Sequence, residues 1–95
     1  MAGVTWAKEA REDLDAIFLR IEGESSAYAE KWIKDLFKKI ELIEKFPHLG
    51  RKVPEVNLVN VREVFAGKYR VLYGIAKADH VEILAIRHTA KPLSE

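Results

Sequence analysis

The spacing of apolar residues changes partway along the chain, and that change divides it into a helical part and a strand part. In GVTWA, Val4 and Trp6 alternate with small or polar neighbours, which predicts a short strand. In KEAREDLDAIFLRIEG, Ala10, Leu14, Ile17, Phe18 and Ile21 fall on one stripe of a helix. Acidic residues crowd its early turns, where the helix dipole favours them, and Gly23 is a natural stop. Ser25 and Ser26 can cap a second helix carrying Ala29, Trp32, Ile33, Leu36, Ile40 and Ile43 on one side. Lys31, Lys34, Asp35, Lys38, Lys39 and Glu41 take the other side. That helix runs to about Lys45, where Pro47 and Gly50 end it. The short gap between the two predicts an antiparallel helical hairpin.

From Leu58 onward the period is two. LVNVREVFA sets Val59, Val61, Glu63 and Phe65 against Asn60, Arg62 and Val64. KYRVLYGIA sets Tyr69, Val71, Tyr73 and Ile75 against Arg70, Leu72 and Gly74. HVEILAIRH sets Val81, Ile83, Ala85 and Arg87 against Glu82, Leu84, Ile86 and His88. Gly67 and the Lys77-Ala78-Asp79 segment are hairpin-length connections. FPHLGRKVPEVN, with two prolines and a glycine, reads as a loop, and TAKPLSE as a loosely held polar tail. The predicted architecture is α+β over residues 1–95 as a single domain. It has an N-terminal strand, an antiparallel two-helix hairpin and a three-stranded antiparallel meander. The helices pack on one face of the sheet and leave the other open to a substrate or partner.

Composition narrows the function classes. The chain has 95 residues and a hydrophobic fraction of 48%, enough for one small core. There is no cysteine, so neither disulfides nor thiolate metal sites are available. Charged residues from Lys8 onward interrupt any leader-like apolar run, and no stretch is long enough to span a bilayer. A cytoplasmic location without membrane contact is the expectation. Net charge is only +1, unlike a general nucleic-acid binder. Residues 1–46 carry 8 basic and 10 acidic side chains, whereas residues 47–95 carry 8 basic and 5 acidic. An anionic partner would therefore meet the C-terminal half, unless the imbalance is only surface variation.

Motif chemistry is sparse. Nucleotide-binding glycine loops, HExxH, CxxC and GxSxG are all absent, and His48, His80 and His88 are scattered. No metal or other cofactor is expected. What remains is a cationic set: Arg62, Arg70, Arg87, His88 and Lys91. If Arg62 and Arg70 share the open face, they can hold a phosphate through bidentate hydrogen bonds. His88 can exchange a proton near neutral pH, and Glu55 and Glu63 are the nearest bases. Metal-free RNA cleavage needs a base for the 2′-hydroxyl, cations for the charge on phosphorus and an acid for the leaving oxygen. Structural roles compete for the same residues. Arg70 is equally suited to pairing with Glu63 or Glu82 across the sheet, and His88 to an ordinary surface position. Tyr69 and Tyr73, in phase with Val71 and Ile75, fit core packing.

The order of these segments resembles the RelE/ParE toxin superfamily. VTWAKEAREDLDAIFLRI resembles the strand and first helix of ParE-type toxins, with Trp6, Ala10, Asp13, Leu14 and Ile17 at the usual places. FPHLGRKVPE resembles their phenylalanine-proline, glycine-arginine and proline-glutamate loop. VREVFAGKYRVLYGI resembles their central strand pair, and VEILAIRHTAKPL the last strand and tail. The resemblance implies a bacterial or archaeal type II toxin neutralised by a cognate antitoxin. In RelE-like members it implies ribosome-dependent cleavage of messenger RNA, and in ParE-like members poisoning of DNA gyrase. Arg70 matches the strand arginine that assists cleavage in RelE-like enzymes, and His88 lies near their catalytic histidine or tyrosine. Glu63, or Glu55, would stand in for the base. The long helical hairpin and the near-neutral charge point to the ParE branch. An inactive partner-binding module is the third possibility. An antitoxin segment would dock as an amphipathic helix or an added strand, with Leu58, Val64 and Leu72 as possible contacts.

Overall fold

The computed structural model describes residues 3–54 and 60–90. Strand β1 (Val4–Trp6) leads into helix α1 (Lys8–Glu24) and then helix α2 (Ser26–Lys45). Gly23 does not stop α1. The helix continues to Glu24, and the break comes at Ser25, whose backbone is extended at φ −162° and ψ 113°. Ser25 Oγ accepts the Tyr28 N–H at 3.1 Å and so starts α2. The expected loop after α2 contains a single 3-10 turn (Pro47–Leu49) and a two-residue strand, β2 (Arg51–Lys52). Strands β3 (Val61–Ala66), β4 (Tyr69–Ile75) and β5 (Val81–His88) follow as an antiparallel meander.

The sheet order is β1-β5-β4-β3-β2, with β1 parallel to β5 at one edge and β2 antiparallel to β3 at the other. The helical hairpin covers one face. Ala10, Ile17 and Ile21 of α1, and Ala29, Trp32, Leu36, Ile40 and Ile43 of α2, form a single core with Val71, Tyr73, Ile83 and Ile86 of the sheet. Side-chain polar groups close the seams. Trp32 Nε1 donates to Ala66 O at 3.0 Å, and Lys39 Nζ to Phe65 O at 2.7 Å. Among the described residues no helix is long and apolar enough to cross a membrane.

One irregularity corrects the predicted face assignment. Leu72 is paired with Ala85 but Tyr73 with Ile83, so Leu84 is an extra residue that forms a bulge in β5. Val81 and Ile83 face the helices as expected, but beyond the bulge the helix-facing residue is Ile86, not Ala85. Arg87 is thereby turned to the far face, opposite Arg70, and His88 to the helix side, opposite Tyr69. The far face is not open along its centre either: Glu63, Arg70 and Leu72 are buried.

Candidate functional site: an ion cluster on the far face of the sheet

Glu63 alternates with apolar neighbours in β3, and it is 1% exposed. A carboxylate removed from water this completely requires opposite charge and hydrogen bonds. Two arginines supply them. Arg51, its register partner on β2, donates Nε to Glu63 Oε2 at 2.5 Å. Arg70 of β4 donates NH1 to Oε1 at 3.1 Å. The Arg70 side chain is almost fully buried, whereas that of Arg51 is 58% exposed. The Arg51 guanidinium also lies over the Phe65 ring, 5.4 Å from its centroid.

Arg87 sits beside Arg70 in the register, and two like charges at such a pair repel. Each is tied to its own acid. Arg70 is held by Glu63, while Arg87 passes round the open edge of β5 to α1. There it bonds Asp13 Oδ2 at 2.5 Å and Glu9 Oε2. Asp13 Oδ2 also accepts the Ile86 N–H at 3.0 Å, taking the place of a neighbouring strand where β1 has ended. Burial pulls the Arg87 pKa down, but the hydrogen bonds and charges of Glu9 and Asp13 outweigh it, and the net shift is upward. Arg87 is a permanent cation at this edge.

The expected phosphate clamp of Arg62 and Arg70 is not formed. The register places Arg62 beside Tyr73 and Arg70 beside Phe65, on opposite faces. Arg62 NH1 instead donates to Gly50 O at 2.8 Å and to His48 O at 3.4 Å, pinning the segment after α2. Tyr73 pins the same segment: its hydroxyl donates to Pro47 O at 2.6 Å and accepts the Gly50 N–H at 2.9 Å. Burial raises the Tyr73 pKa above its ordinary value of 10.0, against the smaller lowering effects of the Gly50 N–H and the Arg62 charge. These bonds hold Arg51 at the correct register with Glu63.

The expected catalytic set of Glu63, Arg70 and His88 is likewise split by the sheet. Glu63 and Arg70 touch, but His88 stands on the helix side. Its ring packs edge-on to Tyr69 at 5.2 Å, and its Nδ1 accepts the Ala90 N–H at 3.0 Å. It lines a cleft of about 360 Å³ with Arg20, Glu24, Tyr28 and Lys68. The expected antitoxin contacts also separate. Val64 packs against the helix-side core, and Leu72 lies on the far face at 7% exposure. Leu58, Glu55 and Lys91 lie outside the described residues. No group of three or more potential metal ligands gathers among the described residues.

Sequence reasoning missed Arg51, Asp13 and Glu9 as members of this cluster. A glutamate in phase with Val61 and Phe65 was the available signal for Arg51, because such a residue demands a cation. The Asp13 and Glu9 link spans most of the chain and depends on the bulge, which left no sequence signal.

Solved structures share this architecture. The chromosomal ParDE toxin–antitoxin system from P. aeruginosa aligns with a TM-score of 0.73 at 21% identity, covering 93% of this chain and 96% of that one. The toxin–antitoxin complex RelBE2 from Mycobacterium tuberculosis aligns with a TM-score of 0.59 at 24% identity, covering 92% and 96%. The YoeB dimer from Staphylococcus aureus aligns with a TM-score of 0.65 at 17% identity, covering 92% and 95%. A comparison with curated protein sequences gives no match. At these identities the structures speak for the fold alone, but a sequence model of the ParE toxin of type II toxin–antitoxin systems, parDE, matches residues 4–93. The chain therefore belongs to the ParE toxin family, within the RelE/ParE superfamily.

Proposed function

We propose that this toxin arrests growth by binding and poisoning DNA gyrase, and that a cognate antitoxin holds it inactive. The observation that carries the reading is the separation of His88 from Glu63 and Arg70 by the thickness of the sheet. General acid–base cleavage of RNA needs its base, cations and acid within hydrogen-bond reach of one scissile phosphate. Here the carboxylate is already engaged by two guanidinium groups and the histidine faces another cleft. A protein-binding action makes no such demand. It needs a rigid surface, which the Arg51–Glu63–Arg70 and Arg87–Asp13–Glu9 links provide.

The antitoxin reading is supported by the two toxin–antitoxin systems among the structural neighbours and by an apolar hollow on the hairpin. Leu14, Asp15, Phe18, Leu19 and Ile33 line about 530 Å³, and Leu19 is 66% exposed. An amphipathic helix of the antitoxin would bury that surface. On this reading the contact lies on the hairpin, apart from Val64 and Leu72.

The direct test is a gyrase supercoiling assay with the purified, folded protein. Inhibition at about micromolar concentration, relieved by antitoxin, is expected. Full supercoiling activity at that concentration would refute the gyrase reading. A second reading, ribosome-dependent messenger cleavage, is favoured by one fact: Glu63 and Arg70 share a face with Arg87. Primer extension on translated messenger separates the two, since discrete cuts abolished by Arg70→Lys would establish the nuclease.

A further inference from the structure

At the β2–β3 edge of the sheet, α2, the 3-10 turn and β3 enclose a cleft of about 370 Å³. Its rim carries two cations, Arg51 and Lys39, and its apolar wall carries Leu49 and Phe65, 56% and 39% exposed. The cleft thus sets apolar surface beside two positive charges, a combination that suits a ligand carrying both an apolar and an anionic group. We propose that this cleft docks an acidic segment of a protein partner, with a carboxylate on Arg51 and an adjacent leucine- or phenylalanine-type side chain against Leu49 and Phe65.

Arg51 is prepared for that role. Glu63 takes its Nε and fixes the plane of the guanidinium, and Phe65 supports it from one side. NH1 and NH2 make no hydrogen bond with the described residues, and they are the pair of donors that meets a carboxylate in a bidentate fork. Glu63 is shared between Arg51 and the buried Arg70 behind it, and of these two guanidinium groups the one offered outward is that of Arg51. Lys39 is fixed too, between Phe65 O at 2.7 Å and Asp35 at 3.8 Å, and it gives the cleft a second positive charge, less exposed than that of Arg51. The position of the wall is also built in. Gly50 is packed so tightly that an added Cβ would lie 2.5 Å from Tyr73 Oη and 2.7 Å from Glu63 O. The turn bearing Leu49 and Arg51 therefore cannot drift from the sheet.

The apolar wall decides between a peptide and a nucleic acid. A phosphate backbone would use the cations and leave Leu49 and Phe65 in water, whereas an acidic peptide with apolar side chains uses both. This inference does not depend on which macromolecule the toxin poisons.

The test uses the full chain, labelled with nitrogen-15, and the probe acetyl-Leu-Glu-Phe-Glu-amide. Controls are the glutamine and lysine versions of the peptide, and a short single-stranded oligonucleotide. Titration should move the amide signals of Leu49, Gly50, Arg51 and Phe65 and leave those around His88 unmoved. The glutamine peptide should bind about fivefold more weakly or worse, and the lysine peptide not at all. Arg51→Ala should abolish the shifts. Because Arg51 also supports Glu63, Leu49→Ser and Lys39→Gln serve as variants that keep the Arg51–Glu63 and Arg70–Glu63 pairs intact, and each should weaken binding about threefold or more. Equal binding of the acidic and glutamine peptides would overturn the proposal. So would shifts centred elsewhere, or an oligonucleotide that binds here while the acidic peptide does not.

Discussion

At the scale of single residues, the most constrained position is Gly50. Its Cβ-free backbone meets both the Tyr73 ring and a β3 carbonyl, and neither can withdraw. Gly50→Ala is expected to cost about 1–3 kcal/mol, the range for forcing atoms into a packed site, measured by urea unfolding. Tyr73→Phe removes a hydroxyl that serves two buried backbone groups, Pro47 O and Gly50 N–H, and should cost a further comparable amount, about 1–3 kcal/mol. The tyrosine also has a pH signature. Its folded pKa lies above its ordinary value of 10.0, so the unfolded chain loses this proton first as pH rises. The stability that Tyr73 contributes is then complete below pH 10.0 and drains away through the folded pKa. Wild type should lose stability over that alkaline window more steeply than Tyr73→Phe. Parallel slopes for the two proteins would contradict the assignment.

At the scale of elements, the two connections at Ser25 and Lys77–His80 show how local chemistry sets boundaries. Ala78 and Asp79 both adopt positive φ, 57° and 58°, and His80 N–H closes the turn on Lys77 O at 3.2 Å. This is the mirror-image hairpin turn, for which asparagine and glycine are the fitting residues. Replacing the pair by Asn-Gly (Ala78→Asn with Asp79→Gly) should raise stability by about 1 kcal/mol, because L side chains in that region are strained. A thermal melt with no upward shift would count against it. The helices were legible in the sequence because each buries a single stripe, and Ala10, Ile17, Ile21, Trp32, Leu36 and Ile43 are core residues at the expected spacing. The meander was legible from alternation, up to the bulge at Leu84. An inserted residue inverts every face assignment after it, and nothing in ILAIRH distinguishes the two phases. Which arginines share a face depends on register between strands, and periodicity within each strand carries no such information. That is why Arg62 and Arg70 were expected together and Arg51 was overlooked.

Asp13 belongs to the same scale, since it joins α1 to the exposed edge of β5. Asp13→Ala should cost about 1–2 kcal/mol, mostly from the Ile86 N–H that loses its acceptor. The ionic part is smaller. Arg87 is 34% exposed, and screening limits the coupling measured by an Asp13/Arg87 double-mutant cycle to about 0.5–1 kcal/mol. No measurable coupling even at low salt, where screening is weakest, would show that the link to Arg87 carries no energetic weight.

At the scale of the whole molecule, stability and toxicity are tied together, and a growth assay alone cannot separate them. A chain of 95 residues buries only about 60–65% of its unfolded surface, so its margin is narrow. Leaving a buried charge without its partner costs about 3–5 kcal/mol, and Arg70→Ala approaches that cost at Glu63, whose other oxygen Arg51 still holds. That substitution should abolish growth arrest by depleting folded toxin, whatever the toxin's target. The informative comparison pairs Arg70→Lys, which keeps the charge, with His88→Ala, which leaves the ion cluster untouched, each scored for soluble folded protein beside growth. On the gyrase reading His88→Ala keeps full growth arrest at unchanged abundance, because its ring lies in a different cleft from the far-face cluster. On the nuclease reading it loses arrest while remaining folded. An antitoxin present at about 100 times its Kd should add about 2.7 kcal/mol to either variant by mass action. A melt in its presence therefore rescues a folding defect, while a toxin defective only in chemistry gains the same increment as wild type and stays harmless when freed.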